Sequence, residues 1–252
     1  MQPHEQNRSR KPIATDARVR PVAPGNSILL KAFYRLLPSV STLFRRRRMS
    51  NLVHILKIQP GTRVLDLGGA PAIWEHVSAP LEITLLNLPG AVSRGEFEIL
   101  QSPDLRHHTF HVIEGDACKV QQFGNRSFDL VFSNSVIEHV GPAAKQAEFA
   151  HEVLRLGRSH WVQTPSKWFP IEAHSGMPFY WFYPKWLRAA LLRSWRKRLP
   201  AWWADYIGTT RVLSRRRMVE LFPESQTRTD YFFGLPKSYV SHSRTDRRQR
   251  GR

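Results

Sequence analysis

Val64-Leu65-Asp66-Leu67-Gly68-Gly69-Ala70-Pro71-Ala72-Ile73-Trp74 reads as a short buried strand that runs into a small-residue turn and then a helix. The apolar run carries the strand, and the glycines let the backbone turn tightly and approach a ligand closely. In an open α/β sheet, ligands bind beyond the carboxyl ends of the strands. Asp66 lies near such an end, where it can accept hydrogen bonds from a ligand or from the turn's own amides.

Working outward, the segments alternate. Upstream, Ile28 to Leu37 is a short apolar-basic helix candidate, and Met49 to Ile58 carries Leu52, Val53 and Leu56 at helical spacing. Pro60-Gly61 ends that helix just before the strand. Downstream, strands are expected over Glu82 to Leu88, Thr109 to Glu114, Phe128 to Ser133 and Ser159 to Gln163. A weak helix falls at Glu96 to Leu100, and an amphipathic one at Ala143 to Leu156 with Phe149, Val153 and Leu156 on one face. Strands separated by helices imply a mostly parallel, doubly wound sheet covered on both sides. Thr164 to Tyr183 breaks the alternation as an aromatic, proline-rich loop, and Pro184 to Trp203 is basic, aromatic and helical. Ser214 caps a short helix that Pro223 stops, and Thr227 to Leu235 forms a late strand.

The 252-residue chain suits one domain with tails or insertions, and 41% hydrophobic residues supply a sizeable core. Residues 1–24 and 241–252 are expected as disordered basic tails around one domain at 25–240, with 165–222 an insertion or cap. The single cysteine, Cys118, excludes an intrachain disulfide framework and suits a reducing compartment. There is no signal-peptide apolar region and no apolar run of about 18 residues. The expected location is the cytoplasm, with peripheral contact to the inner membrane face left open. The net charge of +18 is concentrated in Arg45–Arg48, Arg215–Arg217 and the tail from Arg244. Such a field attracts nucleic acid, anionic lipid or acidic substrates, or is simply solvated.

Each strand end offers a ligand contact: Asp66, Gly68, Gly69 and Ala70; Asn87 with Leu88; Asp116 and Ala117; Ser133 and Asn134. The dinucleotide fingerprint G-x-G-x-x-G fails at Gly68 to Ile73, and no P-loop is present, which argues against a dinucleotide oxidoreductase and a nucleotide triphosphatase.

Taken with Glu114-Gly115-Asp116-Ala117, with Ser127 to Val140 and with Glu152-Val153-Leu154-Arg155, the pattern resembles the class I S-adenosylmethionine-dependent methyltransferases, in particular the type 11 group. The resemblance covers about Arg63 to Pro170. It implies a seven-stranded Rossmann-like sheet and S-adenosyl-L-methionine as cofactor. By that resemblance Asp66, Gly68 and Gly69 wrap the methionine portion, Asn87 replaces the ribose-binding acid, Asp116 and Ala117 meet the adenine, and Ser133 and Asn134 face the methyl group. The chain departs from the family at Ala70 and Ala72, where glycines are usual, and at Asn87, which lacks the acid's charge.

Methyl transfer needs alignment, exclusion of water and, for a hydroxyl or amine acceptor, a general base. His139, beside Glu138 just after the fourth strand, is the first candidate because its ordinary pKa is near neutral. His174 in the following loop is the second. Relatives with E-x-x-E-H bind a divalent metal, but Ser135 replaces the first carboxylate, so no metal is expected. The acceptor is expected to be a small molecule or a lipid-linked intermediate, receiving methyl on a hydroxyl, amine or carbon. The alternative is an inactive protein of this fold that uses its basic surface to bind anionic membrane or, with less support, nucleic acid. The aromatic-basic stretch Phe179 to Trp203 suits either a cap over the site or an interfacial helix.

Overall fold

The computed structural model describes residues 28–90, 100, 102–172 and 175–243. The N-terminal tail, the C-terminal tail from Arg244, His174 and the helix expected from Glu96 (Leu100 apart) lie outside the described residues.

The strands are β1 (Arg63–Leu67), β2 (Glu82–Asn87), β3 (Thr109–Glu114), β4 (Phe128–Asn134), β5 (Gly157–Pro165), β6 (Gln226–Phe232) and β7 (Leu235–His242). They form one sheet in the order β3-β2-β1-β4-β5-β7-β6. β1 to β5 pair in parallel, and β7 inserts antiparallel between β5 and β6. The strand order reverses beside β1, the switch point at which such sheets open a crevice for a ligand.

Side chains alternate across the pleat, so β1 feeds two cores. On one face Leu65 and Leu67 join Val131, Val162 and the inward stripe of α2 (Ala143–Leu156), namely Phe149, Val153 and Leu156. On the other, Val64 joins Leu130, Phe132 and Trp161 beneath Met49 and Leu52 of α1 (Ile28–Leu56). All of these are buried.

Four expectations are corrected or sharpened. The two upstream helices are one continuous helix, α1; arginine favours helix, so the Arg45–Arg48 tract joins them. The glycine turn leads into a six-residue 3-10 segment, Pro71–His76, where a helix was expected without its kind or length. Trp74 fixes that short segment: its buried ring packs edge-on against Phe132 at 4.9 Å, and extended backbone resumes at Val77. The single late strand is a hairpin, β6–β7, which turns at Phe233 (φ 47°) and Gly234 (φ 75°). Two successive positive-φ residues suit the twist of a tight hairpin, and β7 continues to His242, past the expected domain end at 240. Finally, Leu199-Pro200 splits the aromatic region into α3 (Lys185–Arg198) and α4 (Ala201–Thr209), since proline cannot continue a helix interior.

α3 and α4 close a third small core of Tyr180, Trp195, Trp203, Ala204 and Ile207. The insertion thus has its own packing, while Trp186 stays 70% exposed. Ser214 caps α5 (Arg215–Leu221) as expected, its hydroxyl accepting from Arg217 N at 3.1 Å. Among the described residues, no helix is long and apolar enough to cross a membrane.

Candidate active site

The carboxyl ends of β1, β2 and β3 are stitched to one another. Gly68 N donates to Leu86 O, and Gly115 N to Asn87 O, both at 2.8 Å. Asn87 Nδ2 donates to Gly69 O at 3.0 Å, so this amide braces the glycine loop from the neighbouring strand. Gly68 has φ 69°, and any Cβ there would meet Val136 Cγ2 at 2.7 Å. Gly69 has a different constraint, because a Cβ on it would overlap the Asp66 carboxyl group.

Asp66 is fully buried. Trp74 Nε1 donates to its Oδ2 at 2.9 Å, while Oδ1 has no protein partner. Burial pushes its pKa from 3.8 up to about 7, opposed by the Trp74 hydrogen bond. An unpaired buried acceptor beneath a glycine cradle fits a ligand that brings its own donor.

The other predicted contacts divide into two groups. Asp116 is exposed at the end of β3, its Oδ1 accepting from Cys118 N at 2.8 Å, with Ala117 half-buried beside it. Ala70 is half-buried in the loop, and Leu88 is 51% exposed just past β2. Gly68, Gly69, Ala70, Asn87, Leu88, Asp116 and Ala117 therefore lie at or just beyond the carboxyl ends of β1, β2 and β3, with Asp66 buried beneath them. Ser133 is fully buried, and its hydroxyl donates to Leu67 O at 3.0 Å. It ties β4 to β1 instead of facing outward. Asn134 accepts a hydrogen bond from Arg48 Nη1 at 2.5 Å.

Beyond β4 the chain turns through Ser135 (φ 59°), which places Val136 against Gly68 and carries Glu138 and His139 past the loop. Glu138 is fully buried; Thr164 Oγ1 donates to its Oε2 at 3.0 Å, and its Oε1 is 3.9 Å from His139 Nε2. His139 stacks on Tyr206 of α4 at 4.0 Å and 16°, with Nδ1 3.3 Å from Thr210 Oγ1. The Thr210 hydroxyl has one proton, which it donates to Tyr206 O at 2.8 Å. Toward His139 it is then available as an acceptor, which suits a proton on Nδ1. Burial raises the Tyr206 phenol above its ordinary range, with Glu138 and Glu172 adding to the rise.

Of the residues weighed for a metal, Ser135 Oγ donates to Gln163 Oε1, and Glu172 accepts from both the amide and the hydroxyl of Ser175. Among the described residues, no group of three His, Cys, Asp or Glu is placed to hold a metal ion. Tyr206, Thr210 and Lys237 were not singled out from the sequence, and Arg48 only as part of the Arg45–Arg48 tract. Only Arg48 had a readable signal: it precedes buried Leu52 by one helical turn, so it shares that helix's inward stripe.

Comparison with known proteins extends this geometry. Residues 93–160 match the type 11 methyltransferase domain model. Over those residues the chain is similar to the methyltransferase domain, and its sheet has the Rossmann-like strand order. A possible exported protein from Bordetella parapertussis has a similar structure at 14% identity and TM-score 0.52, over 89% of this chain and 76% of its own. The N-terminal domain of EvdMO1, solved in the presence of SAH and D-fucose, is similar at 13% identity and TM-score 0.50, over 79% and 82%. A SAM-dependent methyltransferase from Aquifex aeolicus aligns at 11% identity and TM-score 0.46, over 77% and 87%. No curated protein matches the chain by sequence. The methyltransferase domain match begins downstream of the glycine loop, so the loop's case rests on its geometry. Class I methyltransferases take S-adenosyl-L-methionine, and the loop suits it through the bare backbone at Gly69 and the partnerless Asp66 Oδ1 beneath it.

Proposed function

We propose that this chain transfers a methyl group from S-adenosyl-L-methionine to a small-molecule acceptor, with His139 as general base. The observation that carries this reading is the contact between the two halves of the site. Val136 packs on Gly68, which sets the Glu138-His139 pair beside the cofactor loop.

When bound, S-adenosylmethionine supplies a methyl group on a sulfonium, a leaving group already activated by its charge. The protein's part is to hold, orient and dehydrate. Gly68 and Gly69 let the loop backbone approach the methionine portion. Asn87 keeps its carbonyl for a ribose hydroxyl while its amide braces Gly69. Asp116 and the Ala117 amide stand where the adenine edge is expected. His139 Nε2 takes the acceptor's proton, and the imidazolium then faces the Glu138 carboxyl at 3.9 Å. Tyr206 covers the ring, and His139 keeps only 11% of its side chain exposed, which limits water at the base. His174 lies outside the described residues.

Titration calorimetry with S-adenosylmethionine and S-adenosylhomocysteine tests the reading. Roughly micromolar binding is expected, weakened about tenfold in Asn87→Ala and Asp116→Ala. Absence of binding by the folded wild-type chain would leave the inactive-scaffold alternative. His139→Gln should keep cofactor affinity and lower methyl-transfer turnover about 100-fold or more in a labelled-methyl assay with a responsive acceptor.

A further inference from the structure

A second polar site lies across the sheet from the glycine loop. Asn134, Gln163, Val240 and Arg228 share one rung of β4, β5, β7 and β6. Arg48 of α1 lies over that rung, nine-tenths buried. Its Nη1 is held by Asn134 at 2.5 Å, while its Nε has no protein partner. It lines a cavity of about 130 Å³ with Phe44, Arg47, Arg228 and Asp230.

Lys237 is turned toward the same place by a defect in the sheet. Asp230 pairs with Ser238 and Tyr231 with Pro236, which leaves Lys237 as the unpaired residue of a bulge. Strict alternation would put Lys237 on the face of Tyr239, toward α2. The bulge re-aims it, a role such bulges often have near active sites. Its ammonium lies 4.0 Å from the Phe44 ring centre and 5.7 Å from that of Phe169, over the α1 side.

The charges do not balance. Lys237 is largely desolvated with Arg48 and Arg45 close enough to act on it, and its pKa falls from 10.5 to about 8, burial being the larger cause. Burial likewise lowers Arg48 to about 10, with Arg45 adding to the effect. Two carboxylates act on Arg48, Asp230 more than Glu138. Asp230 is already engaged by Arg228 Nη2 at 3.2 Å and by the Ser238 hydroxyl at 3.1 Å, and Glu138 accepts from Thr164 Oγ1 at 3.0 Å. A buried cation with an unused donor, a second cation re-aimed toward it and carboxylates engaged elsewhere make a site that suits an anion.

We propose that Arg48 and Lys237 form an oxyanion subsite that holds a carboxylate or phosphate group of the methyl acceptor. Arg48 connects this subsite to Asn134 at the end of β4, so an acceptor anchored there extends toward the cofactor crevice. The inference rests on the methyltransferase reading for the identity of its ligand, though not for its ability to bind an anion.

The experiment is a thermal-stability titration with inorganic phosphate and, separately, acetate, at constant ionic strength balanced with sodium chloride. Wild type, Lys237→Gln and the surface control Arg216→Gln are compared. Wild type and Arg216→Gln should show the same saturable stabilisation, and Lys237→Gln should need about tenfold more anion for half the effect. Lys237→Gln removes a charge that is unfavourable without a ligand, so it should fold; circular dichroism checks this. A preference for phosphate assigns a phosphorylated acceptor, and a preference for acetate a carboxylated one. An equal response in Lys237→Gln, or no saturable response in wild type, overturns the subsite. Failure of the wild type to bind S-adenosylhomocysteine would instead overturn the methyltransferase reading, since that titration does not depend on the anion.

Discussion

Gly69 has no room for a side chain because Asp66 occupies the space one would need. That makes the pair a single device: a buried carboxyl group, held by the Trp74 indole, props the glycine loop. Gly69→Ala forces the carboxyl group aside, so cofactor affinity should drop at least tenfold by calorimetry, with a stability loss of about 1–3 kcal/mol in urea unfolding. The same carboxyl group couples stability to pH. Its folded pKa of about 7 stands above the ordinary 3.8, so between those values the folded chain holds a proton that the unfolded chain has released. Stability therefore falls as pH rises through that window. Asp66→Asn keeps an acceptor for Trp74 and does not titrate. Urea midpoints at pH 5 and pH 8 should converge in the variant relative to wild type; an unchanged difference would mean that Asp66 ionises normally.

At the scale of elements, α4 completes the surroundings of His139. Tyr206 lies within α4 and Thr210 at its C-cap, so α4 supplies both the ring stacked on His139 and the hydroxyl beside its Nδ1. Trp203 anchors α4 at 4% exposure, packed edge-on to Trp195 of α3 at 5.3 Å. Trp203→Ala should cost about 3–5 kcal/mol of local stability. Amide exchange should quicken across α3 and α4 while α2 stays protected, and turnover should fall with cofactor binding retained. These α4 contacts were not legible in the sequence. The bounds of β3 and α2 were, because period-2 and period-3.6 patterns record burial directly. The strand-end positions of Asp66, Asn87 and Asp116 followed from those strands. The stacking of Tyr206 on His139 depends on how two distant segments dock, and neither residue's neighbours announce it. Ser133 illustrates the opposite failure: its place at a strand end was right, but the pleat turned its hydroxyl inward to Leu67. Lys237 was hidden because a bulge reverses the facing that alternation assigns.

Across the whole molecule, one buried thiol reports on the core that supports the site. Cys118, the chain's only cysteine, belongs to the core of Leu65, Val131, Phe149 and Met218. It is 6% exposed, and burial together with nearby Asp116 pushes its pKa up to about 12. Thiolate is the reactive form, so both access and ionisation protect it in the folded state. It follows Asp116 and Ala117 directly, and Asp116 Oδ1 accepts from its amide, so opening at Cys118 also opens the end of β3 where adenine contact is expected. Iodoacetamide labelling at neutral pH should therefore be slow in the native chain and fast in urea. Saturating S-adenosylhomocysteine should slow native labelling further, because a ligand that binds only the closed form reduces the open population in proportion to its occupancy. If the ligand binds by calorimetry but leaves the labelling rate unchanged, then the β3 end opens without disturbing the cofactor, and Asp116 and Ala117 are not among its contacts.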